Sequence, residues 1–117
     1  MKRHPLFLLA AILLSACNSK QAPPDSKSVE RAAALQPTNE HLALLYNQSC
    51  KLCHAAQGSG APLTGDRAAW DDRWKKGMSA LLQSVVVGLN GMPAGGQCFA
   101  CTRTDYEALI KFMAVRE

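Results

Sequence analysis

Cys50-Lys51-Leu52-Cys53-His54 decides how the rest of this chain is read. C-x-x-C-H is the attachment pattern of c-type haem, and the reason is geometric. Cysteines at i and i+3 share one helix face, so both sulfurs can add to the two vinyl groups of a single porphyrin. His54 comes next and can turn its imidazole toward the iron. The other use of C-x-x-C, a thioredoxin-like dithiol, needs a βαβ setting. Here Leu42, Leu45 and Tyr46, just upstream, have helical spacing, and no stretch of the chain reads as a convincing strand. The reading is one haem c held through Cys50 and Cys53, with His54 as an axial ligand.

A second axial ligand is sought among histidines and methionines. His41 falls in the first turn of the upstream helix and reads as a solvated surface residue. Met113 shares a helical stripe with Tyr106, Leu109 and Ile110, so it reads as core, and Met78 reads as packing at the start of a helix. Met92 lies in Leu89-Asn90-Gly91-Met92-Pro93-Ala94-Gly95-Gly96, too rich in Gly and Pro for regular structure. A loop methionine beside a rigid proline suits presentation of sulfur to iron opposite His54. Met92 is therefore the expected second ligand.

The surrounding pattern predicts an all-α domain over 38–117 with about four helices and long loops. One helix is expected from Asn39 to Cys53 and a short one from Arg67 to Lys75, with Asp66 as its N-cap. A third runs from Ser79 to Val87 and stops at Gly88. The last begins at the box Thr104-x-x-Glu107 and ends near Val115. Leu42, Leu45 or Tyr46 should then meet Leu109, Ile110 or Phe112. From Thr38 onward there are 80 residues, near the size at which one apolar core struggles alone. A covalently held haem supplies the missing apolar plate, and the long loop at 55–65 fits a segment wrapping a cofactor.

Five cysteines leave three beyond the haem motif. Cys98-Phe99-Ala100-Cys101 could join Cys50 and Cys53 in a zinc site, but 44 residues separate the pairs and His54 would have no role. An exchangeable dithiol is a second option, though no neighbouring pattern argues for a depressed thiol pKa. A structural disulfide is the third. The aromatic content of 6% provides no rich stacking platform for bases.

Lys2 and Arg3, the apolar run Leu6 to Leu14 and then Ser15-Ala16 have the layout of a secretory signal over 1–16. Leu14-Ser15-Ala16-Cys17 resembles the lipobox of bacterial lipoproteins, which implies that Cys17 is acylated and becomes the first mature residue. Asn18 stands where that family uses Asp for inner-membrane retention, which points to the outer membrane of a cell that has two. Loss of Lys2 and Arg3 leaves 11 of the 13 basic residues against 9 acidic ones, a net of +2. That balance gives no support for a nucleic-acid partner. Residues 17–37 read as the lipidated cysteine and a flexible tether, with a short helical stretch possible from Val29 to Leu35, stopped by Pro37.

From Tyr46 to Met113 the chain resembles a class I cytochrome c, cytochrome c5 above all. The likeness rests on Cys50-x-x-Cys53-His54, Gly60-Ala61-Pro62-Leu63-x-Gly65-Asp66 and Ala68-Ala69-Trp70. It continues through Lys76-Gly77-Met78, Gly91-Met92-Pro93 and Gly95-Gly96-Gln97-Cys98-x-x-Cys101. The resemblance implies a Cys98–Cys101 disulfide, which completes the cysteine count. It implies that the Pro62 carbonyl receives the Nδ1–H of His54, that Leu63 packs on the porphyrin, and that Trp70 and Arg73 are candidates to hold a propionate. The expected function is one-electron transfer in a bacterial respiratory or periplasmic chain, with no catalytic residues and no small-molecule substrate. Redox proteins should dock at the haem edge, with Lys51, Lys75 and Lys76 able to tune docking. The competing reading is a haem enzyme or gas- or peroxide-sensing domain in which Met92 dissociates. No distal acid–base histidine stands at a convincing position for it.

Overall fold

Most helices of this chain start at a short polar side chain or a glycine, while α3 follows directly from Cys50 in helical geometry. The computed structural model describes residues 22–116; the signal expected at 1–16 and the acylation expected at Cys17 lie outside the described residues. Among these there are six α-helices and no strand: α1 Ser26–Ala34, α2 Glu40–Gln48, α3 Lys51–His54, α4 Arg67–Trp74, α5 Met78–Val87 and α6 Arg103–Met113. Asp25, Asn39 and Asp66 cap α1, α2 and α4 by accepting the backbone N–H three residues on. The fold is all-α as expected, with more helices than four for two reasons.

The first is a break in the helix expected over Asn39–Cys53. Ser49 leaves helical geometry at φ −133° and ψ −80°, and its hydroxyl donates to the Leu45 carbonyl at 2.6 Å. That hydroxyl satisfies a carbonyl left over at the end of α2, and a separate turn, α3, carries Cys53 and His54. The second is α1, which begins at Ser26 rather than Val29 because Asp25 caps it. Ala32 is fully buried, and Leu35 occupies the space beside Gly65 where a Cβ would meet its Cδ1. Helix α1 thus meets the domain through Ala32 and the following Leu35.

The last helix also starts earlier than expected. Thr102, not Thr104, is its N-cap: Thr102 Oγ1 accepts from Asp105 N–H, and the Asp105 carboxylate accepts from Thr102 N–H at 2.8 Å. Asp105 also accepts from His41 Nε2 at 3.0 Å, tying α6 to α2. An edge-to-face Tyr46–Phe112 pair, 5.1 Å between centroids, continues that contact. Leu45, Tyr46, Trp70, Leu109 and Met113 form one buried cluster. Ile110 turns the other way, packing with Leu81, Leu82 and Val85 of α5 in a second cluster, onto which Met78 and Met92 also pack. Helix α6 is the shared wall.

Candidate cofactor site

His54 is tied to consecutive residues of the loop that follows it, directly at Pro62 and Thr64 and through Trp70 at Leu63. The imidazole is buried, and its Nδ1 lies 2.8 Å from the Pro62 carbonyl. A carbonyl only accepts, so Nδ1 carries the proton and the Nε2 lone pair is free for a metal. Leu63, 3% exposed, offers its carbonyl to Trp70 Nε1 at 2.9 Å. Thr64 N–H returns to the His54 carbonyl at 2.7 Å, and Thr64 Oγ1 accepts from the Tyr46 hydroxyl at 2.8 Å. Burial, more than anything else, pushes the His54 pKa below the usual imidazole value. The ring is therefore neutral near pH 7, which is the form that ligates iron.

The Trp70 indole N–H donates to the Leu63 carbonyl, and the ring stacks on His54 at 5.6 Å and 25°, positioning the imidazole from within the core. Arg73 gives one N–H to the Ala69 carbonyl and lines the same cleft as Pro62 and Leu63. A guanidinium has five donors, so the remainder stay available.

Cys50 and Cys53 are free, the first half-buried and the second exposed. Burial raises the Cys50 thiol pKa, opposite to the depression a dithiol switch relies on. Cys98 and Cys101 are joined in a disulfide, which rules out the four-cysteine zinc reading. No group of three or more His, Cys, Asp or Glu suited to a metal ion occurs among the described residues. Two free thiols three residues apart, a neutral imidazole with one nitrogen open, and a loop thioether make a donor set that fits haem c.

Met92 sits half-buried on the loop after α5. Paired backbone hydrogen bonds to Leu89, at 2.9 and 3.1 Å, close a tight turn below it. Gly95 and Gly96, at φ 68° and 56°, fold the chain back beneath the side chain. A Cβ on Gly96 would come within 3.2 Å of the Met92 methyl, so the absent side chain is what lets the thioether lie there.

Sequence reading missed Thr64 and Tyr106. Thr64 lies inside the Pro62-Leu63 motif, which was the available signal. The Tyr106 hydroxyl reaches the carbonyls of Gly95 and Cys98, eleven and eight residues away, and its position in an apolar stripe gives no hint of that.

A family profile described as cytochrome c oxidase, cbb3-type, subunit III, matches residues 37–113. Cytochrome c5 of Ectopseudomonas mendocina is 36% identical over 67 residues, which cover 56% of this chain and 77% of the relative. The mono-haem ferrocytochrome c from Shewanella putrefaciens is 42% identical with a TM-score of 0.58, covering 65% of this chain and 94% of that one. A chain from the crystal structure of an electron transfer complex of nitrite reductase with cytochrome c is 30% identical. It also has a TM-score of 0.58, covering 68% of this chain and 96% of that one.

Proposed function

Because the chain belongs to the class I mono-haem c-type cytochromes, among which is cytochrome c5, we propose that it is a one-electron carrier with His54 and Met92 as axial ligands. When bound through Cys50 and Cys53, haem c supplies a one-electron ferric/ferrous couple. The observation that carries the reading is the 2.8 Å bond from His54 Nδ1 to the Pro62 carbonyl, which aims Nε2 and strengthens it as a ligand. As a ligand, the Met92 thioether would favour the reduced state and raise the potential relative to a second histidine. Were His54 and Met92 both to hold the iron, no place would be left for a substrate. Arg73 has donors left for a propionate.

A redox protein is the partner class, and one matched structure is described as an electron transfer complex with nitrite reductase. Residues 77–102, the segment that includes Met92, carry no Lys, Arg, Asp or Glu and expose Val86, Val87, Leu89 and Phe99. Lys75 is drawn to Asp72 at 2.7 Å. Docking therefore relies on apolar contact more than on lysine steering. We place the protein in a bacterial periplasm, tethered to a membrane, by preference the outer one, through acylated Cys17. With α1 folded onto the domain, eight residues separate Cys17 from the first helix; as a coil they would reach about 15 Å, against about 25 Å for twenty.

Replacing Met92 tests the reading. Met92→Ala should abolish the sulfur-to-iron charge-transfer band of the oxidised protein and lower the midpoint potential. A surviving band would contradict the ligand assignment.

A further inference from the structure

We propose that Tyr106 is the positioning residue of the sulfur ligand: its hydroxyl, bonded to the carbonyls of Gly95 and Cys98, holds the turn on which the Met92 methyl rests. The inference rests on the reading of Met92 as a ligand. The oxygen lies 3.0 Å from the Gly95 carbonyl and 2.9 Å from that of Cys98. A phenol has one proton, so the two carbonyls share it. Gly95 O also accepts from Cys98 N–H at 2.9 Å, and Pro93 O accepts from Gly96 N–H at 2.9 Å.

This turn needs an external brace. Gly95, Gly96 and Gln97 are three consecutive residues at positive φ, 68°, 56° and 61°. Gln97 has no glycine freedom, so its left-handed backbone is unfavourable by itself. The disulfide fixes the chain from Cys98 onward, and the Leu89–Met92 turn fixes it as far as Met92. The span between has its anchor in Tyr106, which α6 carries in contact with both buried clusters. The mechanical link is short: hydroxyl to Gly95 carbonyl, then Gly96, whose missing Cβ leaves room for the Met92 methyl. Burial raises the Tyr106 pKa, so the group remains a donor through the neutral range.

The test is displacement of the sulfur by imidazole in the haem-loaded, oxidised full chain, followed by loss of the charge-transfer band. Imidazole binds only when Met92 lets go, so its apparent affinity reports the detached population. Tyr106→Phe keeps the ring and removes one hydrogen bond, ordinarily enough to raise that population roughly 2- to 12-fold. Imidazole should therefore act at correspondingly lower concentration. Ser84→Ala is the control, because it removes a half-buried side-chain bond to the Ala80 carbonyl within α5 without touching the turn, and it should leave the titration unchanged. Gly95→Ala, whose methyl would come 3.1 Å from the hydroxyl, should shift the titration as Tyr106→Phe does and serves if that variant fails to load haem. Unchanged affinity in either turn variant, or equal shifts for Tyr106→Phe and Ser84→Ala, would overturn the proposal. Absence of the band from the wild type would instead overturn the Met92 reading beneath it.

Discussion

Two glycines flank α5 in nearly the same backbone conformation, and only one of them touches the Met92 loop. Gly77 has φ 85° and ψ 159°, and Gly88 has φ 89° and ψ 156°. Both values lie in a region essentially restricted to glycine, where an alanine costs about 1–3 kcal/mol. A Cβ on Gly77 meets nothing within 4 Å, whereas one on Gly88 meets Met92 O at 2.9 Å, Ala94 N at 3.1 Å and Pro93 C at 3.3 Å. These are backbone atoms and cannot swing aside as a side chain would. Overpacking of this kind adds about 1–3 kcal/mol. Gly77→Ala thus measures the strain, and Gly88→Ala the strain plus the clash. At about 4–8 °C per kcal/mol for a domain of this size, a difference of about 2 kcal/mol puts the Gly88→Ala melting temperature roughly 8–16 °C below that of Gly77→Ala. Thermal unfolding of the two haem-loaded variants reads the gap directly. The charge-transfer band should weaken in Gly88→Ala alone, since only that change pushes on Met92. Equal melting temperatures, or a band weakened equally in both, would refute the reasoning.

Other consequences reach different parts of the molecule. Asp105 has its carboxyl pKa held below 3.8, first by the Thr102 side chain, then by the Thr102 N–H, with a smaller contribution from His41. A depressed carboxylate contributes stability above its unfolded pKa and loses it as pH falls through the folded value. The stability gap between wild type and Asp105→Asn in urea melts should thus hold at neutral pH and close below pH 3.8; a gap unchanged in acid would contradict the capping account. Phe99 is 96% exposed, so Phe99→Ser should slow bimolecular electron transfer to an isolated redox partner without changing the potential. The same rate should depend weakly on ionic strength, and a steep salt dependence would point to lysine steering instead. Cys17→Ser should release the protein from membranes, and an unchanged membrane fraction would require another anchor.

The features written in short-range pattern were legible. The haem motif, the Met92 loop, the Asp66 cap and the stop at Gly88 each depend on residues within a few positions of one another. Where the reading slipped, two local solutions competed and a distant partner chose between them. Thr102-x-x-Asp105 and Thr104-x-x-Glu107 both look like capping boxes, and the earlier start gives Asp105 to both Thr102 and His41. The break at Ser49 turns on one hydroxyl bonding Leu45 rather than water, which helical periodicity does not register. The bond from the Trp70 indole to the Leu63 carbonyl, across seven residues, leaves no local signature either. Helix α1 starts three residues ahead of the stretch expected at Val29 because Asp25 caps it; a single small residue, Ala32, carries its buried contact.

Central to the proposed function is that haem bonds to the polypeptide through Cys50 and Cys53. The direct test is a quantitative pyridine haemochrome on chain matured in a bacterial envelope, then denatured and extracted with acidified acetone to strip any unattached porphyrin. One c-type haem per chain should remain. A colourless precipitate, with all the porphyrin in the solvent, would contradict the account.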